Sequence, residues 1–564
     1  MTLPLVDVKS TRTWPDDPYK GLTYYGVADM PLFAGRDGDI TAFGSMMGLG
    51  KIRILLLHGM TGCGKSSFLR AGVIPALEDE IAGYSFLRDE DGTPAFVRST
   101  DDPTASLART VHQFMKREYS KKSARSETSE NETFLRQTAS SDESEYLGSV
   151  AEDPRILVKT VEKLASCRRR TLVLVIDQAE EIVTLKPGPD GDPARNQFFD
   201  FLADVSRSQH DFKLIIAFRT EYHGQFYALL RYGADVSHID DYFLADFTKD
   251  QIVEAILRPT SREIIPGYEE APFDHYRFEY EQALPDQIAD ALLSSGISGG
   301  VLPALQIVCR RLYEDAKPKT SEPGGPGGTA LDNNRTPLSH GSVPVATSRE
   351  PSTIRPFKVL EKAYTSLGGV AGQVNSYLQS ELLAATKEPF ADKVRYLGSS
   401  KEVLRWRKVL RCLVKPQLNG TVTSDVVLVT KLTEEAVEKG CLIEPQRMFN
   451  FLVDEKRRIL RPVAVTNVQS KEVIPCYSLG HDVLASALQA WYEHDKLERK
   501  TMRTLRITYA IVFLAFLAIW YFFHSNWLLV LAGFFLMALV GTFVPSYRAT
   551  FLESASEDRT KKTK

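Results

Sequence analysis

The chain has 564 residues, with 69 Lys and Arg against 72 Asp and Glu and a formal net charge of −3. That balance supplies no global field to draw in nucleic acid. A 43% hydrophobic, 25% charged composition is that of a globular protein of several domains, not of a disordered or fibrous one. The six cysteines are scattered with no CxxC and no zinc spacing, which argues against a disulfide framework and fits reduced thiols.

In chain order, MTLPLVDVKSTRTWPDD (1–17) lacks the apolar centre of a signal peptide, so 1–16 reads as a tail and the main body is expected in the cytoplasm. From 17 to 260 short apolar runs alternate with helical patterns. KIRILLLH (51–58), PAFVRS (94–99), TLVLVID (171–177) and FKLIIAFR (212–219) each end in a polar residue, as strands of a buried parallel sheet do. Stretches such as SSFLRAGVIPALEDEI (66–81) and RNQFFDFLADVSRS (195–208) fall between them as helices. The alternation predicts an α/β domain. Residues 117–153 are rich in Ser, Glu and Lys, and 316–355 in Pro, Gly, Ser and Thr; both are expected to be disordered insertions, because neither offers enough apolar surface to offset ordering entropy.

The stretch LLLHGMTGCGKSS (55–67) carries chemistry. Gly59, Gly64, Lys65 and Ser66 fit G-x-x-x-x-G-K-[ST] between an apolar strand and a helix, the context a phosphate-binding loop needs. Its glycines, Gly62 included, let backbone N–H groups curl around phosphates at a helix N-terminus. Lys65 is expected on the β- and γ-phosphates, the Ser66 hydroxyl on Mg²⁺, and Ser67 in the same loop. In TLVLVIDQAEE, Asp177 ends a hydrophobic strand where a carboxylate can hold the Mg²⁺ shell. Glu181, with Glu180 as runner-up, is placed to orient an attacking water. Arg219, at the tip of the next strand, is the candidate reader of a γ-phosphate.

Beyond 260 the pattern turns mainly helical, over 261–400, and a short β element sits near RILRPVAV (458–465) and VIPCYSL (473–479) within 401–495. The run KEVLRWRKVLR (401–411) is basic enough to touch phosphates but fits a solvated helix face better. A basic bridge, 496–506, leads to two uncharged runs, ITYAIVFLAFLAIWYFF (507–523) and WLLVLAGFFLMALVGTFV (527–544). At 1.5 Å per residue each spans roughly 25 to 28 Å, close to a bilayer core of about 30 Å. The sequence therefore predicts a transmembrane hairpin over 507–545. Lys496, Arg499, Lys500, Arg503 and Arg506 precede it, and Arg548, Arg559, Lys561, Lys562 and Lys564 follow it, so both ends, including the tail 546–564, are expected to face the cytoplasm.

DPYKGLTYYGVADMPLFAGRDGDI (17–40), the phosphate loop, VIDQAEE, AFRTEY, EAILRPT (254–260), GGVLPALQIVCRRLYE (299–314), YTSLGGVAGQVNSYLQSEL (364–382) and YSLGHDVLASALQAWYE (477–493) occur in that order. The set resembles the bacterial STAND NTPases of the novel-STAND type, relatives of the NACHT and NB-ARC nucleotide switches. The resemblance implies a P-loop core of the additional-strand class, a helical subdomain and a winged-helix domain. It also implies ATP or ADP with Mg²⁺ as cofactors. By the same resemblance Gly35 and Arg36 of FAGRD stand beside the adenine, Pro303 packs near it, and His481 with Asp482 forms the His-Asp pair whose histidine reaches the β-phosphate of ADP and locks the closed state. That favours a switch that self-associates when ATP replaces ADP, with a bilayer and an unidentified activating ligand or protein as partners. The competing readings are an AAA+-like engine that remodels membrane proteins and a non-hydrolysing adaptor or DNA-binding regulator, although nucleic acid is not an expected partner. No repeat of 30 to 50 residues follows as a sensor.

Overall fold

The computed structural model describes residues 12–523 apart from gaps at 80–82, 90, 99–101, 120–128, 185–192, 295–299, 319–355, 367, 392–393, 395–398, 418–421, 455–456 and 467–472; beyond 523 it describes only 530, 531, 533, 536 and 537. The expected linker at 316–355 and the tail 546–564 therefore lie almost wholly outside the described residues.

β1 (Ile54–Gly59), β2 (Tyr84–Phe86), β3 (Val97–Arg98), β4 (Thr171–Asp177), β5 (Phe212–Arg219) and β6 (Ile239–Phe243) form one parallel sheet in the order β2-β4-β5-β1-β6, with β3 also on β4. β1 and β4 are buried almost end to end because helices cover both faces. Ile54 and Leu56 pack with Leu107, Val111 and Phe198 on one side. Leu55 and Leu57 pack with Phe43, Phe68 and Leu69 on the other, the two-residue alternation of a strand. β5 lies between β1 and β4, with Gly59 beside Arg219 and Ile176 beside Ile216. An extra strand thus separates the strand leading into the phosphate loop from the one ending in Asp177. All three strands deliver their last residues to the same carboxyl edge, where parallel sheets bind ligands.

The expectation of disorder over 117–153 is corrected for its described residues, 117–119 and 129–153, while 120–128 lie outside them. Residues 117–119 finish the helix Pro103–Tyr119, and two further helices follow, Glu130–Ser140 and Glu143–Glu152. Their buried apolar residues, Leu135 with Ala139 and Tyr146 with Val150, repeat at i,i+4 and so form one stripe each, which docks in the core with Val111 and Met115 and is flanked by the partly buried Phe134 and Leu147. Each large side chain so buried contributes roughly 1.5–3 kcal/mol, enough to order a segment whose overall composition is polar. The N-terminal boundary shifts as well. Trp14 is buried, its ring 4.2 Å from that of Tyr268, and Pro15 O accepts from Tyr276 Oη at 2.6 Å, so the chain joins the core before residue 17.

The next segment is helical, as expected, and includes Leu284–Ser294, Val301–Ala316 and Gly369–Ala385, with a small parallel pair of β7 (Phe278–Tyr280) and β8 (Phe357–Val359). The C-terminal segment runs helix Ser399–Leu410, hairpin β9 (Val414–Pro416) with β10 (Val422–Ser424), β11 (Val427–Leu428), helices Val429–Glu438 and Pro445–Val453, then β12 (Leu460–Thr466) and β13 (Val473–Leu479). Its three-stranded sheet has the order β11-β13-β12. The helix Ser399–Leu410 is a core element: Trp406 is fully buried, Arg405 pairs with Glu402, and Arg407 and Arg411 bond the carbonyls of Asn375 and Val414.

The last helix, Asp482–Phe523, is continuous, so the expected bridge 496–506 and first apolar run 507–523 are one element. Among the described residues no helix is long and apolar enough to cross a membrane. Most of the second apolar run lies outside the described residues.

Candidate functional site

A cleft of about 1310 Å³, counted out to its open mouth, lies over the carboxyl ends of β1, β4 and β5. The phosphate-binding loop forms its floor. Gly62 and Gly64 have φ of 80° and 91°, a region open to glycine at no steric cost, and this curls the loop ahead of the helical stretch that starts at Lys65. A Cβ on Gly300 would lie 2.7 Å from Thr61 O, so only glycine lets the start of helix Val301–Ala316 press against the loop. Leu302 and Pro303 of that helix line the cleft.

Lys65 Nζ donates to the carbonyls of Gly59 at 2.8 Å and Met60 at 3.1 Å, which holds its charge over the loop. Ser66 Oγ donates to Asp177 Oδ2 at 2.8 Å, which brings together the two oxygens expected to share Mg²⁺. Asp177 is buried, and the following Gln178 has φ of 62°, an uncommon backbone state for a residue with a side chain, held by Gln178 N donating to Asp177 Oδ1 at 3.0 Å. Hard oxygen donors beside a glycine-lined cradle of N–H groups and a lysine fit a nucleotide triphosphate with Mg²⁺.

Glu180, buried, lines the cleft and forms an ion pair with Arg219 Nε at 3.1 Å, and Arg219 lines it too. Glu181 is not part of the lining. Burial pushes its carboxyl up to about 7, opposed by Arg461 and reinforced by Glu180. The geometry thus favours Glu180 for any role beside the phosphates.

Other expected residues divide. Ser67 Oγ accepts from Tyr25 N at 3.1 Å and ties the N-terminal segment to the loop. Arg36 lines the cleft but is buried, its guanidinium bonding Cys63 O, Ala245 O and Asp39 and lying 4.4 Å from the Phe247 ring centre. Gly35, at φ of 80°, lies outside the lining, with Gln251 O 2.9 Å from where a Cβ would stand. His481 reaches the cleft from the end of β13. Burial lowers its pKa to about 4, Arg458 pushes the same way, and a hydrogen bond to the Leu22 main chain opposes. Asp482 instead accepts from Ser424 N at 2.8 Å and from Ser424 Oγ, which fastens β10 to the start of the last helix.

Sequence reasoning missed Arg458, Arg461 and Gln306, all of which line the cleft. Arg461, on β12, is close enough to Glu180, Glu181, Arg219 and Asp482 to feel their charges, and burial lowers its pKa. Gln306 Oε1 accepts from Lys20 N and Tyr25 Oη, both at 3.0 Å. The arginines in EKRRILR (455–461) carry no local signal, since what gives them a role is a sheet fold nearly 300 residues from Asp177 and Glu180.

A parallel sheet with an extra strand between the loop strand and the Asp177 strand, and a cradle of this chemistry at its edge, define a P-loop NTPase. The family model for novel STAND NTPase 1 matches residues 18–323, more than half of the chain, and the chain belongs to that family. Among solved structures, the chain is similar to the Walker-type ATPase of Pyrococcus abyssi at 13% identity and a TM-score of 0.32, covering 80% of this chain and 95% of that one. It is similar to the ORC1 protein of Aeropyrum pernix in complex with DNA at 14% and 0.35, covering 82% and 94%. The ORC2 protein of the same organism scores 11% and 0.31, covering 81% and 95%. Scores this low bear on neither function nor partners. No curated protein matches the chain.

Proposed function

We propose that this protein is an ATP-dependent signalling switch, held off with ADP and released for self-association when ATP replaces it. One observation carries the reading: Arg458, Arg461, Gly480 and His481 of the C-terminal segment line the same cleft as Lys65, Ser66 and Asp177. A nucleotide seated there touches two distant parts of the chain, so its phosphate count can bias their arrangement. Setting aside the separate hairpin β9–β10, helix Ser399–Leu410 is followed by β11, two helices, β12 and β13, with β11 paired to β13, and this order supports reading 401–495 as a winged helix.

In this reading Lys65 and the loop N–H groups hold the β- and γ-phosphates, and Ser66 and Asp177 hold Mg²⁺, which when bound neutralises charge developing between the phosphates. Glu180 orients water near the γ-phosphate, with Arg219 fixing its carboxylate. His481, with Arg458 and Arg461, binds the diphosphate end only while the C-terminal strands are docked. Hydrolysis serves to reset the switch.

Membrane attachment rests on the sequence. Two uncharged runs, 507–523 and 527–544, are flanked by basic residues on both sides, and the exposed Ile507, Ile511, Leu514 and Tyr521 add an apolar surface that needs a cover. A hairpin in the inner membrane with both termini cytoplasmic would gather on clustering, either as an effector or as an anchor.

The test is the nucleotide and the oligomeric state of detergent-purified protein. ADP retained by a monomer, with larger assemblies formed in ATP by wild type and not by Lys65→Ala, is the expected result. Steady turnover with no retained ADP and the same assembly in either nucleotide would favour a continuously cycling engine and overturn the latch.

A further inference from the structure

Three potential metal ligands that the nucleotide site does not use converge behind the phosphate loop. His58 is the last side chain of β1 before Gly59. His223 opens the helix His223–Leu230, and Asp241 sits on the edge strand β6. One ligand atom of each lies within 4.8 Å of the others. His58 Nε2 is 3.2 Å from Asp241 Oδ2, and the two imidazole rings are 4.4 Å apart. None of the three lines the nucleotide cleft.

We propose that His58, His223 and Asp241 bind one divalent ion of the zinc class, with the fourth position open to solvent. Metal–ligand distances of about 2.0–2.2 Å in a tetrahedron space the ligands by roughly 3.3 Å. The His58–Asp241 pair already has that spacing, and the remaining pairs need to close by at most about 1.5 Å. The donor set, two imidazoles and one carboxylate, selects zinc over Mg²⁺ or Ca²⁺, which take oxygen ligands.

Two further observations point to a ligand. His223 Nε2 is buried and has no hydrogen-bond partner among the described residues, a costly state for a ring nitrogen that ligation removes. His58 Nδ1 is 3.1 Å from Thr220 Oγ1. With an ion bound, donation from Nδ1–H to that hydroxyl would leave the Nε2 lone pair for the metal, the outer-shell arrangement typical of a ligating histidine. Without one, Nε2–H can instead donate to Asp241 Oδ2. The fully buried Phe218 stacks on His58 and keeps one wall of the site dry, while the more exposed Phe243 borders the ring on another side. Asp241, with a side chain 45% exposed, leaves the other wall open for entry. The ion would join β1, which ends in the phosphate loop, to β6 and to the segment directly after Arg219. It would therefore stiffen the floor of the nucleotide site without touching nucleotide.

The test titrates Zn²⁺ alone into chelator-treated, nucleotide-free full-length protein, read by a competing zinc dye and by the visible spectrum after Co²⁺ substitution. One ion per chain is expected, with tetrahedral cobalt bands. His223→Ala and Asp241→Asn should each weaken binding at least tenfold and bleach the bands, while ATP binding in Mg²⁺ stays at wild-type affinity. His275→Ala, whose ring pairs with Glu270 and is not one of the three ligands, should change nothing. If His223→Ala fails to fold, Asp241→Asn on the open rim carries the test. Wild-type binding no tighter than in a variant carrying both His223→Ala and Asp241→Asn, or cobalt bands that survive both substitutions together, would overturn the proposal.

Discussion

Protonation of His481 should loosen the C-terminal strands from the nucleotide cleft. Burial holds its pKa near 4 against an ordinary 6.5, with Arg458 and Arg461 acting in the same direction and the Leu22 main chain and Asp482 opposing. A folded pKa below the unfolded one means the undocked state binds the extra proton. The stabilisation is therefore complete above pH 6.5 and lost as pH falls toward 4. At about 1.4 kcal/mol per pH unit, moving from pH 7 to 5 removes at most about 2 kcal/mol, and roughly 1 kcal/mol once solvent screening of a partly exposed ring is allowed for. Hydrogen exchange across residues 473–481 in nucleotide-free protein, corrected for intrinsic rates, reads this directly. Wild type should lose about 5- to 30-fold protection between the two pH values, whereas His481→Gln should respond much less, keeping only the part due to Glu181, whose carboxyl sits near 7 and faces Arg461. Equal pH responses in the two proteins would refute the reasoning.

Lys65→Ala should abolish detectable triphosphate binding by calorimetry, since no other described lysine lines the cleft; unchanged affinity would remove the site. Glu180→Gln should slow hydrolysis at least tenfold with binding spared, and Glu181→Gln, outside the lining, should have a much smaller effect, measured as single-turnover rates. Glu402→Ala should destabilise the C-terminal domain by about 3 kcal/mol in denaturant unfolding, because the fully buried carboxylate accepts from Trp406 Nε1, Leu442 N and Ile443 N. Deleting residues 507–545 should release a protein that partitions away from membranes and still binds nucleotide; continued sedimentation with membranes would place the attachment elsewhere.

Four of the sheet's six strands, β1, β3, β4 and β5, were legible because their signal is local, whereas the short β2 and the edge strand β6 were not expected. TLVLVID and FKLIIAFR match β4 and β5 residue for residue, and buried parallel strands announce themselves as unbroken apolar runs. The phosphate loop was legible for a similar reason, since all of its chemistry lies within a dozen residues. Helices 130–140 and 143–152 were missed because composition was weighed ahead of spacing, and two buried apolar residues per helix suffice when a neighbouring helix supplies the rest of the core. The sequence ranked Glu181 ahead of Glu180 and the cleft reverses that order, because the two differ only in which side of one helical turn faces it. Arg461 and the His58–His223–Asp241 cluster depend on pairing between remote strands, which a motif does not encode. The π-helical turn Phe68–Val73, where Gly72 approaches Phe33 and Ile40, likewise follows from packing and not from a local signal.

The latch is tested most directly by hydrogen exchange of β12 and β13 in the same protein loaded with ADP and with a non-hydrolysable ATP analogue. If His481, Arg458 and Arg461 hold the diphosphate only in the docked arrangement, residues 460–466 and 473–481 should be protected with ADP and exchange at least tenfold faster with the analogue. Identical protection in the two nucleotides would contradict a switch read through this cleft.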